Sequence, residues 1–128
     1  MIAVDTSVWV QALRSRESAE ASHLDRILEQ DSVLLPIPVK IELLSGSSKH
    51  GLPRLAKLLS ALPVLEPGPS TWTLMLKWTE EARNKSQRFG FGDLLIGAIA
   101  AEVGAEVWSL DEDFLRMQRL GFLATHRP

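Results

Sequence analysis

The chain contains no cysteine, so it has neither a disulfide frame nor a thiolate metal site, which fits a reducing compartment. Histidine is scarce: His23, His50 and His126 share no ligand spacing, so a zinc site is not expected and each is read as a surface or internally satisfied ring. No apolar run approaches the ~20 residues that cross a bilayer, so no membrane partner is expected. The opening MIAVDTSVW places Asp5 where a secretory signal would carry basic and then apolar residues, and a cytoplasmic location is therefore expected. No charge of one sign dominates: 14 basic and 16 acidic residues leave a formal net charge of −2, which excludes a cationic coat for nucleic acid while allowing a local basic patch. Nucleotide cradles of the form G-x-x-x-x-G-K-S/T or G-x-G-x-x-G are absent, and no serine lies in a G-x-S-x-G elbow. A phosphoaspartyl transferase would need a second acid two residues past Asp5, where Ser7 stands.

What is present is an alternation of short apolar runs with helical patterns. A chain of 128 residues with 45% hydrophobic content has the length of one domain, 1–128, and can bury a core. Residues 2–4 (IAV) read as a strand entering a helix at Asp5-Thr6-Ser7, and 19–30 as an amphipathic helix. Val33-Leu34-Leu35 reads as a strand stopped by Pro36, and Pro38 suits the first turn of a helix running to Gly46. A helix over 52–62, a short strand at Val64-Leu65 and a long helix from Trp72 toward Gly90 follow. Then come an apolar helix with Asp93 at its head, a strand over 106–110, a helix over 111–120 closed by Gly121, and a last edge strand at Phe122-Leu123. This order predicts an α/β fold with a central, mostly parallel sheet flanked by helices on both faces.

The segment GDLLIGAIAA poses a physical problem, because a helix apolar nearly all round is buried and Asp93 stands at its leading edge. An unpaired buried carboxylate costs several kcal/mol, so something positive is expected beside it. In open parallel sheets ligands collect outside the carboxyl ends of the strands, where Asp5 and Asp111 fall, with Asp93 and Glu42 on adjoining helices. Singly, each acid has a plainer role: Asp5 and Asp111 as helix caps, Asp93 at a helix dipole, Glu42 as an exposed helix residue. The apolar settings of Glu42 (VKIELL) and Asp93 (GDLLIG) argue against those roles. Four carboxylates on one rim repel unless cations neutralise them, and oxygen ligands suit Mg²⁺ or Mn²⁺.

The stretches IAVDTSVWV, IPVKIELLSG, FGDLLIGAIAAEVGAEV and SLDEDF, in this order and spacing, resemble the PIN-domain ribonucleases of the VapC toxin type over essentially the whole chain. The resemblance implies a PIN-like fold and assigns Asp5, Glu42, Asp93 and Asp111 to a catalytic, metal-binding acidic pocket. Asp113 matches a supporting acid that also suits the first turn of the last helix. Ser109 stands where the family commonly has threonine, and Thr6 and Ser7 match the small hydroxyl residues after the first acid. Gly97, where the family more often has alanine, departs from the pattern and is expected to mark close packing against the sheet. The resemblance further implies an endoribonuclease using Mg²⁺ or Mn²⁺, a cognate antitoxin protein and a homodimer. Arg83, Lys85 and Arg88 are the candidate substrate-binding cations, with Arg14, Arg16 and Lys40 as others near the rim; such contacts position phosphates without reading sequence. Trp9, Trp72, Trp78 and Trp108 are read as core or interface residues, with base stacking as the alternative. Two other functions stay open: a non-catalytic protein-binding module on the same fold, and a structure-specific DNA nuclease with the same chemistry.

Overall fold

A computed structural model describes residues 1–128. Four strands, β1 (Ile2–Val4), β2 (Val33–Pro36), β3 (Val64–Leu65) and β4 (Glu106–Trp108), form one sheet in the order β3-β2-β1-β4, and every pairing is parallel. The two central strands, IAV and VLLP, are buried at every position, as expected for parallel strands covered on both faces. Pro36 lies inside β2 rather than after it. The pairing of β2 with β1 uses only Val33 and Leu34, so the missing N–H of Pro36 breaks no bond to β1.

Seven helices connect and cover the strands: α1 (Thr6–Arg14), α2 (Ala19–Glu29), α3 (Ile37–Gly46), α4 (Leu52–Ser60), α5 (Pro69–Asn84), α6 (Phe91–Glu102) and α7 (Asp113–Arg119). The first two crossovers step from β1 to β2 to β3, and the third returns past them to β4. Right-handed crossovers therefore place α5 and α6 on the face opposite the earlier helices. The reversal leaves a switch point between β1 and β4, where ligand crevices form in such sheets. None of the helices is long and apolar enough to cross a membrane.

Helix α6 is apolar between Asp93 and Glu102, with Leu94 through Ala100 buried without interruption. A Cβ built at Gly97 would lie 2.9 Å from Leu123 Cδ2, 3.3 Å from Met117 Sδ and 3.5 Å from Trp78 Cζ3. The close approach at Gly97 is thus to α5, α7 and the C-terminal segment, not to the sheet. Trp9, Trp78 and Trp108 are core residues, whereas Trp72 is 43% exposed and stacks on Phe91.

The C-terminal region differs most from the pattern in the sequence. The expected strand at Phe122-Leu123 does not form, because Gly121 turns the chain at φ 80° and Phe122 stacks on Trp78 in the core. Thr125 instead makes a single parallel bridge to Val107, flanked by bonds from Val107 N to Ala124 O and from His126 N to Val107 O. The long helix also ends early: α5 stops at Asn84, and Ser86 at φ 56° redirects the chain before Gly90.

Candidate functional site

Asp5 follows β1 directly and is only 7% exposed. As the residue before α1 it makes no side-chain cap. Its Oδ2 instead accepts hydrogen bonds from Ser7 Oγ at 2.8 Å and Ser109 Oγ at 2.7 Å. Both hydroxyl protons are thereby committed to Asp5, and the hydroxyl oxygens in turn accept from Leu110 N at 3.0 Å and Asp111 N at 2.9 Å. This network ties the end of β1 to the end of β4 across the switch point and leaves Asp5 Oδ1 with no protein donor. It also explains why the strand expected over 106–110 stops at Trp108: the next residues bend so that Ser109 and the Leu110 amide can reach Ser7 and Asp5.

Asp93 enters from the first turn of α6, Asp111 from the turn between β4 and α7, and Asp113 from the first turn of α7. Carboxylate oxygens of these three residues lie within 4.8 Å of one another. Asp111 Oδ1 accepts the Asp113 backbone N–H at 2.9 Å, while Asp113 Oδ1 accepts from Arg116 Nη1 at 2.7 Å. No side-chain cation contacts Asp93, contrary to the positive neighbour expected from the sequence. Burial first, then the charge of Asp111, a hydrogen bond with Asp113 and the charges of Asp5 and Asp113 push the Asp93 carboxyl up to about 7.

Asp5, Thr6, Ser7, Glu42, Asp93 and Asp111 all line one open cleft of about 400 Å³. The four acids singled out in the sequence therefore do share a rim. Glu42, however, is exposed on α3 and is not within the tight carboxylate group; its apolar neighbours arise because Val39 and Leu43 face the core while Ile41 is itself exposed. Thr6 Oγ1 is buried in the cleft wall with no hydrogen-bond partner.

The cations are placed differently. Arg83 and Arg88 line an adjoining cleft with Gln87, Phe89 and Leu94, and Lys85 lies in another with Leu120 and Phe122, so none of the three lines the acid cleft. Arg14 sits at the far end of α1 from Asp5, Arg16 is paired with Asp25 at 2.6 Å, and Lys40 does not line the cleft. The cation that does meet the acids is Arg116: besides Asp113 it donates to Arg88 O at 3.2 Å, and its guanidinium lies 4.4 Å from the Phe89 ring centroid. Its one sequence signal was the i,i+3 spacing from Asp113 on the last helix.

Oxygen is the only donor type in this cleft, and its mutual repulsion is relieved by no side-chain cation at Asp93. Such a donor set fits a hard divalent ion, Mg²⁺ or Mn²⁺, and does not fit a thiophilic one. The parallel sheet and its crevice define an α/β protein with an acid-lined, cation-compatible pocket at the switch point. The chain belongs to the PIN domain family, whose model matches residues 2–120. Ribonuclease VapC11 of Mycobacterium tuberculosis is 28% identical over 122 residues, 89% of each chain. Among solved structures, a chain of VapBC2 from Rickettsia felis bound to a DNA fragment from their promoter superposes with a TM-score of 0.80 at 20% identity, covering 98% of both chains. Mycobacterium tuberculosis VapC20, described as a sarcin–ricin loop cleaving toxin, gives 0.66 at 20% identity over 100% of both.

Proposed function

We propose that this chain is an Mg²⁺- or Mn²⁺-dependent endoribonuclease, the toxin of a toxin–antitoxin pair, acting in the cytoplasm as a homodimer when not held by its antitoxin. The observation that carries the reading is the convergence of Asp93, Asp111 and Asp113 within 4.8 Å of one another, beside Asp5 and Glu42, at the switch point of the sheet. The names of its relatives, ribonuclease VapC11 and a toxin that cleaves the sarcin–ricin loop, support RNA as the substrate. VapBC complexes among the structural neighbours support an antitoxin partner.

Asp5, Glu42, Asp93 and Asp111 are assigned to holding the ion, with Asp113 in support. When bound, the ion supplies positive charge that acidifies water and offsets charge developing on a phosphodiester. Ser7 and Ser109 position Asp5 by fixing one of its oxygens, and the Asp113 N–H does the same for Asp111. Arg116 holds Asp113 and adds one positive charge at the edge of the group. Asp93, titrating near neutrality, gives up its proton readily when a cation arrives. Arg83 and Arg88, in the adjoining cleft, are assigned to phosphates flanking the scissile one. The expected products are a 5′-phosphate and a 3′-hydroxyl.

The test is cleavage of RNA and of matched DNA with Mg²⁺, with Mn²⁺ and with EDTA. The reading requires RNA cleavage that needs the ion and is lost in Asp93→Asn. Cleavage that persists in EDTA removes the metal role, cleavage of DNA alone replaces RNA as substrate, and no cleavage of either leaves a binding module.

A further inference from the structure

A further cleft meets the acids at Asp111, which lines both. It measures about 350 Å³, inside the range of about 300–1,000 Å³ that holds small ligands. Leu110, Phe114, Leu115 and Pro128 give it apolar walls, and it runs between the first turn of α2 and the C-terminal segment. Most of its polar side chains are already engaged. Ser109 donates to Asp5, Asp111 accepts from the Asp113 N–H, and Thr125 Oγ1 donates to Gln118 Oε1 at 2.7 Å. His126 has both ring nitrogens occupied, Nδ1 against Glu106 Oε1 at 3.1 Å and Nε2 in a head-on hydrogen bond with His23 Nε2 at 2.8 Å. Glu20 and Arg127 remain, and neither is ion-paired although they line the same cleft. The helix dipole suits an acid in the first turn of α2, but it does not account for a guanidinium left unpaired on that cleft.

An unpaired carboxylate accepts two N–H groups side by side, and an unpaired guanidinium donates to two acceptors side by side. Among the four RNA bases guanine alone presents both, with N1–H and N2–H on one edge and O6 with N7 on the next. Unpaired bases of single-stranded RNA are read in this way, through their exposed edges and with the ring against side chains. We propose that this cleft holds one unpaired guanine of the RNA, next to the phosphate at the acids, with Glu20 accepting from N1–H and N2–H and Arg127 donating to O6 and N7. Continuity with the acid cleft through Asp111 makes a base of the bound strand the occupant. The inference rests on the ribonuclease reading and deepens it: base choice belongs to this cleft, whereas Arg83 and Arg88 position phosphates without reading sequence.

The test titrates the intact ¹⁵N-labelled protein with 5′-GMP and, separately, with 5′-AMP in EDTA, so that no ion in the acid cleft contributes. Backbone amide signals of Glu20, Leu115 and Arg127 are expected to shift with 5′-GMP, which should bind about tenfold more tightly than 5′-AMP. Glu20→Gln exchanges one acceptor for a donor, so preference should move from guanine toward adenine, whose edge offers one donor and one acceptor. A side chain serving only its helix would change no base preference. Arg127→Leu should weaken 5′-GMP more than 5′-AMP. Equal binding of the two nucleotides, or shifts confined to other residues, would overturn the site even in a protein that cleaves RNA. Guanine preference in a protein that cleaves no RNA would keep the cleft and remove the ribonuclease reading instead. Should Glu20→Gln fail to fold, the nucleotide preference of the unsubstituted protein and of Arg127→Leu decides.

Discussion

Asp93 concentrates the electrostatics of the cleft in one side chain. Its carboxyl ionises near 7 in the folded protein against an ordinary value of 3.8, so the native state holds a proton that the unfolded chain has released between those pH values. The contribution of this group to stability without divalent ions therefore falls as pH rises from about 4 through about 7 and levels off above, the reverse of an ion-paired carboxylate. Thermal melts in EDTA from pH 4 to 9, taken as the difference from Asp93→Asn, show this decline; a difference that rises across that window contradicts it. Asp93→Asn keeps the volume and removes the titration, so its melting temperature in EDTA at pH 8 should exceed that of the unsubstituted protein, with little difference at pH 5. Under the proposed function the same change lowers RNA cleavage by about 10²–10³-fold, the scale for losing one preorganised electrostatic group. Mg²⁺ should raise the melting temperature of the unsubstituted protein more at pH 8 than at pH 5, because binding acts on the ionised cleft. At this scale the acids were legible in the sequence, since strand ends and helix starts are local features that place Asp5, Asp93 and Asp111. The cations were not, because which way Arg83, Lys85 and Arg88 face depends on where α5 ends and on the left-handed turn at Ser86.

The elements owe their arrangement to α6, whose sequence reports burial on all sides but not which neighbour approaches closest. Gly97 shows the difference: its crowding partners, Leu123, Met117 and Trp78, come from three other parts of the chain, and no local pattern announces them. Alanine at 97 gains about 1 kcal/mol of helix propensity. It also places a methyl 2.9 Å from the end of the Leu123 side chain, which is only partly buried and can shift. The two effects should offset, leaving Gly97→Ala within about 1 kcal/mol of the unsubstituted protein in urea denaturation. Gly97→Val has no such escape, because its branched side chain also meets Met117 and the fixed Trp78 ring, and it should cost about 1–3 kcal/mol. The same packing explains the lost edge strand: Phe122 and Leu123 are apolar enough to read as a strand, but the turn at Gly121 spends them on Trp78 and α6.

For the whole molecule, alternating apolar runs were enough to predict a parallel sheet, because buried parallel strands and their crossover helices impose that order on any sequence that forms them. They say nothing of what the outer helix faces meet. On α5 and α6 the surface carries Trp72 stacked on Phe91, with Phe91 66% and Leu76 73% exposed. Around the molecule, Leu13, Leu55 and Leu58 line a separate groove between α1 and α4. Contiguous exposed patches of large side chains mark interfaces more often than bare surface. Under the proposed homodimer, the aromatic area on α5 and α6 is assigned to the second copy of the chain. Leu76→Glu sets a carboxylate in the middle of that area at a site exposed in the monomer, so folding should be unaffected and the monomer's melting temperature unchanged. Sedimentation velocity should then show a dimer for the unsubstituted protein and a monomer for Leu76→Glu. A variant that stays dimeric would move the self-association to another surface.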